Sequence, residues 1–190
     1  FNKVMGGEPR MSHSRIWSIG FALGSLWITS VASGQGIAQS NISRIPGMDR
    51  KDAIRVNDHI YQAVGFSNTY LVKTSEGNVL VDTSTGLFVP KHAQVLRKVS
   101  TAPIRYIILT HAHPDHVGGI RRWREKDTKV VAHARYQELR DYQTRLGGMF
   151  ERRNSAQYGI GRALVRAAAQ ESARPEYAAD ITFEKTHTIK

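Results

Sequence analysis

The sequence predicts an α/β fold, and three observations carry that expectation. From Asp58 onward, short β-rich runs give way to segments of helical spacing and back again. The run IRYIILT at 104–110 is almost continuously apolar, as a central strand covered on both faces requires. Turn-forming clusters such as SEGN at 75–78 fall between the runs rather than inside them.

Taken in order, HIYQAVG (59–65) and SNTYLVKT (67–74) read as strands, and SEGN turns the chain into the apolar strand VLVDTS (79–84). The first helix is PKHAQVLRKVS (90–100), with Pro90 in its first turn, where a missing N–H costs nothing. The strand IRYIILTH follows, then a short helix within GGIRRWREKD and another apolar strand, KVVAHA (129–134). Two helical stretches come next, ARYQELRDYQTRL (134–146) and SAQYGIGRALVRAAAQESA (155–173), which the glycine pair at 147–148 is expected to separate. Tyr136, Leu139, Gln143 and Leu146 share one face of the first and read as packing residues. The segment ITFEKTHTIK (181–190) alternates like a strand.

Ahead of this region the pattern changes. Residues 11–38 run from a short basic start at His13 and Arg15 through an apolar stretch to small residues at Ser30 and Ala32, the order of a secretory signal. Cleavage after Ala32 or after Ala38 fits equally, and export to the periplasm or medium is the expectation. Residues 1–10 then read as a leader or partial start, 39–57 as a linker, and 58–190 as the folded domain. There is no cysteine, which removes disulfides, thiolate catalysis and Cys-based zinc sites, so any metal must be held by His and carboxylate. The net charge of +11 fits an anionic small substrate or a solvated basic face, and no nucleic-acid-binding motif accompanies it.

The segment THAHPDHVGG (110–119) places three histidines and an aspartate within six positions after a buried strand. His111 and His113 are two apart, so at the end of an extended strand their imidazoles point to one side and can reach one metal ion. Asp115 and His116 lie on the following turn, which Pro114 restricts and which can redirect them toward the same cavity. Imidazole nitrogen with carboxylate oxygen is a ligand set that zinc accepts.

This segment resembles the His-x-His-x-Asp-His signature of the metallo-β-lactamase superfamily, and Asp82 in VLVDTS resembles the strand-end aspartate beneath its metal loop. The resemblance spans roughly residues 55–135 and implies the N-terminal half of an αββα sandwich. It implies two zinc ions, with His111 and His113 on the first, Asp115 and His116 on the second, and Asp82 supporting the loop through hydrogen bonds. It also implies hydrolysis by hydroxide generated at the metals, with Asp115 orienting that nucleophile. The stretch RRNSAQYG (152–159) is similar to a segment of the alkyl sulfatase branch, which would make Arg153 and Tyr158 substrate-binding residues and the substrate an anionic ester. The third subclass of metallo-β-lactamases shares the same signature, and a metal-dependent binding protein without turnover is the alternative of another class. The family draws its remaining ligands from a C-terminal half, so the chain is expected to be an N-terminal piece of a longer protein, inactive alone. Further ligands, and a region for homodimerisation, would then follow Lys190.

Overall fold

The computed structural model describes residues 46–189, and in them seven strands form one sheet in sequence order. The leader, the signal segment and the first part of the linker lie outside the described residues. Strands β1 (Ile54–Arg55), β2 (Ile60–Ala63), β3 (Thr69–Thr74) and β4 (Gly77–Val81) are antiparallel to one another. Strands β5 (Ile104–Ile108), β6 (Lys129–His133) and β7 (Ile181–Phe183) continue parallel to β4. Connection length dictates the switch. A tight turn joins β3 to β4, whereas a parallel return needs a crossover of a dozen or more residues. These crossovers carry α1 (Val89–Leu96), then α2 (Pro114–Val117) and α3 (Ile120–Trp123), then α4 (Tyr136–Arg145), α5 (Gly147–Tyr158) and α6 (Arg162–Ser172).

The register sorts the apolar residues onto two faces. Leu71, Leu80, Ile107 and Val130 align as one row across β3 to β6, and all four are buried. They form a single core with Val89, Val95 and Leu96 of α1 and Ile120 and Trp123 of α3. Each such side chain removed from water contributes about 1.5–3 kcal/mol. The neighbouring row, Tyr70, Val81, Ile108 and Val131, faces the other way. Of these Val131 is buried, while Tyr70, Val81 and Ile108 are half-buried, as are Val72, Val79 and Tyr106. The continuous apolar run of β5 is thus fully covered on one face only among the described residues.

Three sequence expectations change in detail. The first helical stretch ends at Arg145, just ahead of the glycine pair at 147–148, but the pair opens α5 rather than a linker. A second break, which the sequence did not suggest, falls at Gly159, whose φ of 62° suits a residue without a Cβ, and α6 starts afresh at Arg162. A buried Glu151 that accepts from Arg162 and Arg166 ties α5 to α6. The last strand is only three residues long, leaving His187 outside it and exposed. Residues 54–55, within the stretch read as linker, form β1 and pair with β2.

Candidate metal centre

The C-terminal ends of the parallel strands β4 and β5 lie side by side, and two loops leave them together. The first begins at Asp82, with φ of 56°, and includes Ser84, with φ of 63°. Left-handed backbone is tolerated by Asp and costlier for Ser, and such strain persists only where surrounding contacts over-determine it. Those contacts are present. The Thr83 amide and hydroxyl both donate to the His116 carbonyl, at 2.7 and 2.8 Å, and the Gly119 amide donates to the Ser84 carbonyl at 3.0 Å. A Cβ on Gly119 would stand 2.2 Å from the Thr83 carbonyl oxygen, so only glycine allows this approach. Behind the loop, the Ser67 hydroxyl donates to the Asp115 carbonyl.

Asp82 is buried beneath the histidines, and its carboxylate accepts three hydrogen bonds. They come from the Thr110 amide at 2.9 Å, the Thr110 hydroxyl at 2.7 Å and His116 Nδ1 at 2.8 Å. Because the Thr110 hydroxyl spends its proton on Asp82, it can only accept from His111 Nδ1, 3.0 Å away. One carboxylate therefore places a proton on Nδ1 of both His116 and His111, directly and through Thr110, and leaves each Nε2 facing outward.

The outward atoms are ligand atoms. His111 Nε2 faces His113 Nδ1 at 2.9 Å, and His116 Nε2 stands 3.4 Å from Asp115 Oδ2. Neighbouring donors on a tetrahedral ion with bonds of about 2.1 Å stand roughly 3.4 Å apart. The Asp115–His116 pair has that separation already. The His111–His113 pair is at hydrogen-bond distance and would have to open by about half an ångström, which the exposed His113 ring is free to do. Accordingly, no three His, Asp or Glu side chains among the described residues converge on one point as they stand. In the chemistry of its donors the site fits zinc, two donors at a time.

The electrostatics favour a cation. Burial disfavours charge on His116, but the Asp115 and Asp82 carboxylates on opposite edges of its ring push its pKa up to about 9. Burial works against ionising Asp115 too, yet the same contact with His116 holds its carboxyl below the usual range. Burial and the neighbouring His116 and His113 push His111 down, toward the neutral form that binds metal. The two carboxylates flanking the His116 ring mark where positive charge is stabilised, and a divalent ion binding at Nε2 would displace a proton there.

Beside His111 lies a cavity of about 470 Å³ lined by Leu109, Ala112, Tyr136 and Leu139, with the exposed Arg135 and Arg145 also in its wall. These arginines were missed in the sequence. Their signal was position, since Arg135 closely follows the C-terminal end of β6, the edge where open α/β sheets bind ligands. Of the residues expected to bind substrate, Arg153 lies over the Phe150 ring and donates to Asn154. Tyr158 ends α5 and meets Phe66, the residue preceding Ser67, edge-on with ring centroids 5.1 Å apart.

Known proteins are similar to this chain. The sequence pattern of the metallo-beta-lactamase superfamily matches residues 63–183. A metallo-beta-lactamase type 2 from Bacillus sp. is 29% identical over 120 residues, covering 59% of this chain and 47% of that protein. A linear primary-alkylsulfatase from Pseudomonas sp. is 41% identical over 54 residues, covering 27% of this chain and 10% of that protein. An alkyl/aryl-sulfatase from Saccharomyces cerevisiae is 27% identical over 136 residues, covering 64% of this chain and 20% of that protein. The chain thus spans less than half the length of each of these relatives. A solved structure of a double mutant of the sec-alkyl sulfatase PisA1 shares the fold, with a TM-score of 0.52 at 24% identity over 59% of this chain and 20% of that one. With the pattern running from the end of β2 through β7 and enclosing the whole histidine loop, this chain belongs to the metallo-beta-lactamase superfamily.

Proposed function

We propose that this chain supplies the metal-holding half of an exported, zinc-dependent hydrolase acting on an anionic ester such as an alkyl sulfate. The observation that carries the reading is the loop itself: two facing donor pairs, His111 with His113 and Asp115 with His116, over a carboxylate that orients two of the rings. Two zinc ions are the proposed cofactors, with the first pair on one ion and the second pair on the other. Bound zinc would supply Lewis acidity and lower the pKa of a water toward ~7. The chain's own part is to hold, orient and exclude. Asp82 fixes the Nδ1 protons, Thr110 passes that constraint to His111, and Asp115 offers a carboxylate oxygen to orient the attacking water. The cavity beside His111 takes the substrate's anionic end, with Arg145 as its countercharge, since Arg135 is held by the Glu138 carboxylate in the same wall. The net charge of +11 would draw such a substrate in, and nucleic acid is not the proposed partner. Ligands and a dimer contact supplied from beyond Lys190 complete the proposal.

Two of the relatives named above are sulfatases, which supports the ester reading, and the Bacillus relative keeps a β-lactam reading in play. Purified full-length protein should contain about two zinc ions and release inorganic sulfate from dodecyl sulfate. Turnover of a β-lactam with none on alkyl sulfates would transfer the assignment to the lactamases. Stoichiometric zinc with no turnover of either would make the protein a metal-dependent binder.

A further inference from the structure

The two donor pairs sit on backbone that cannot hold itself in place. His111 and His113 lie between β5, which ends at Ile108, and α2, which begins at Pro114. Asp115 and His116 belong to α2, a single turn of four residues, and a helix that short leaves its last carbonyls without internal partners. The amide four residues beyond Asp115, that of Gly119, donates to the Ser84 carbonyl instead, and the amide four beyond Ala112, that of His116, donates to the His113 carbonyl. The Ala112 and Asp115 carbonyls are thereby left to side chains from outside the loop. Gln143 of α4 donates its carboxamide NH2 to the Ala112 carbonyl at 3.1 Å, and the Ser67 hydroxyl donates to the Asp115 carbonyl. Ala112 and Ser67 are both buried, where an unpaired backbone carbonyl would be costly.

We infer that Gln143 is the positioning residue of the His111–His113 pair and Ser67 that of the Asp115–His116 pair, so that each zinc ion has a backbone anchor of its own. The inference rests on the two-zinc reading above and deepens it. Ala112 stands between the two imidazole donors, so its peptide sets the spacing of their Cα atoms. Held by Gln143, that spacing cannot absorb the opening of about half an ångström that zinc requires, and the side chains must supply it. Asp115 carries its own donor, so Ser67 fixes the stem of that carboxylate directly. The anchors come from different elements, α4 and the β2–β3 loop, and neither touches the other pair's backbone. They should therefore fail independently. Because α4 also gives Leu139, Tyr142 and Arg145 to the cavity wall, the Gln143 bond sets that wall against His111 as well.

The experiment uses the full chain, stripped of metal and titrated with zinc by calorimetry. Cobalt(II) absorption is followed in parallel, because it separates an ion held by two imidazoles from one held by imidazole and carboxylate. Gln143→Met keeps the length of the side chain and removes the donor. It should weaken the ion on His111 and His113 about tenfold and leave the other within about twofold, whereas Ser67→Ala should do the reverse. Val95→Ala, a core truncation in α1, is the control for lost stability and should leave both ions in place. Thermal unfolding midpoints identify any variant that fails to fold, and if Ser67→Ala does, the half-buried Gln143 carries the comparison. Equal weakening of both ions, or none beyond that of Val95→Ala, would overturn the inference and leave the zinc reading standing. The expected pattern without hydrolysis of any ester would keep the anchors and remove the reaction. No zinc bound by the unsubstituted protein would remove both the zinc reading and its anchors.

Discussion

Replacing the Asp82 carboxylate by a carboxamide, in Asp82→Asn, changes few atoms and should still damage the metal site severely. The carboxylate accepts three bonds, and one donor, the Thr110 amide, cannot become an acceptor. The new side chain must therefore keep its carbonyl oxygen toward that amide and turn its NH2 toward Thr110 Oγ1 and His116 Nδ1. Facing a donor, His116 has to accept at Nδ1 and carry its proton on Nε2, the nitrogen needed for metal. The Thr110 hydroxyl, now accepting from the carboxamide, is free to donate to His111 Nδ1, so the second histidine is pressed toward the same wrong tautomer. Loss of one such supporting partner costs about 10–100-fold in metal affinity, or ~1.4–2.7 kcal/mol. With two rings affected through one side chain, the upper end of that range is expected. Competitive titration of zinc against a fluorescent chelator measures it, with circular dichroism confirming the fold. Wild-type zinc affinity in a folded Asp82→Asn variant would refute the claim that this carboxylate sets the tautomers.

Other outcomes follow from the same contacts. Asp115→Asn should keep the fold, weaken binding of one zinc ion of the two, and slow hydrolysis strongly; elemental analysis with rate measurement checks it. His92, buried in α1 with Nδ1 2.9 Å from the Thr69 hydroxyl, has its pKa pushed by burial from 6.5 down to about 4. The unfolded chain thus binds the extra proton first as acid is added, so stability is full above pH 6.5 and falls toward pH 4. The loss is about 3 kcal/mol; urea midpoints across that range should lose this slope in His92→Gln. Gly119→Ala should destabilise the domain by about 1–3 kcal/mol, because the new Cβ meets the Thr83 carbonyl, a backbone group with little freedom to move. An unchanged urea midpoint in that variant would contradict the close approach of the two loops.

Sequence reveals most where chemistry is local and least where it is assembled from remote loops. The donors His111 to His116 share one loop, and their alternation and spacing announce a ligand set before any fold is known. Asp82 was found for a different reason, its resemblance to the family's strand-end aspartate, and the structure places it there because parallel neighbours end at the same edge of the sheet. Its second role, reaching His111 through Thr110, was hidden, because a hydroxyl's function as donor or acceptor depends on every partner around it. The second helix break was missed for a related reason. Gly147 and Gly148 look like the stronger breaker, but a Cβ on Gly147 would meet nothing and one on Gly148 only an arginine side-chain end, so neither glycine answers a steric need. Gly159 has the positive φ that ends α5, and Ser155 closes the turn by donating to the Ile160 carbonyl at 2.6 Å.

The substrate end was the least legible part. Tyr158 was singled out through its resemblance to a family segment, whereas Phe66, in an ordinary turn between two strands, carries no signal. Their rings meet at 5.1 Å although they lie on elements remote in sequence. Arg153 shows the converse. Its neighbours in RRNSAQYG resemble a substrate-binding segment, yet its guanidinium lies over Phe150 on its own helix. Arg135 and Arg145, which no motif marks, line the cavity beside His111. Specificity in this chain is therefore expected to track the cavity wall that α4 presents beside His111 rather than the histidine loop itself. Arg145→Ala should then weaken binding of an alkyl sulfonate, which resembles the ester but cannot be cleaved, while leaving zinc affinity in place, and calorimetry measures both.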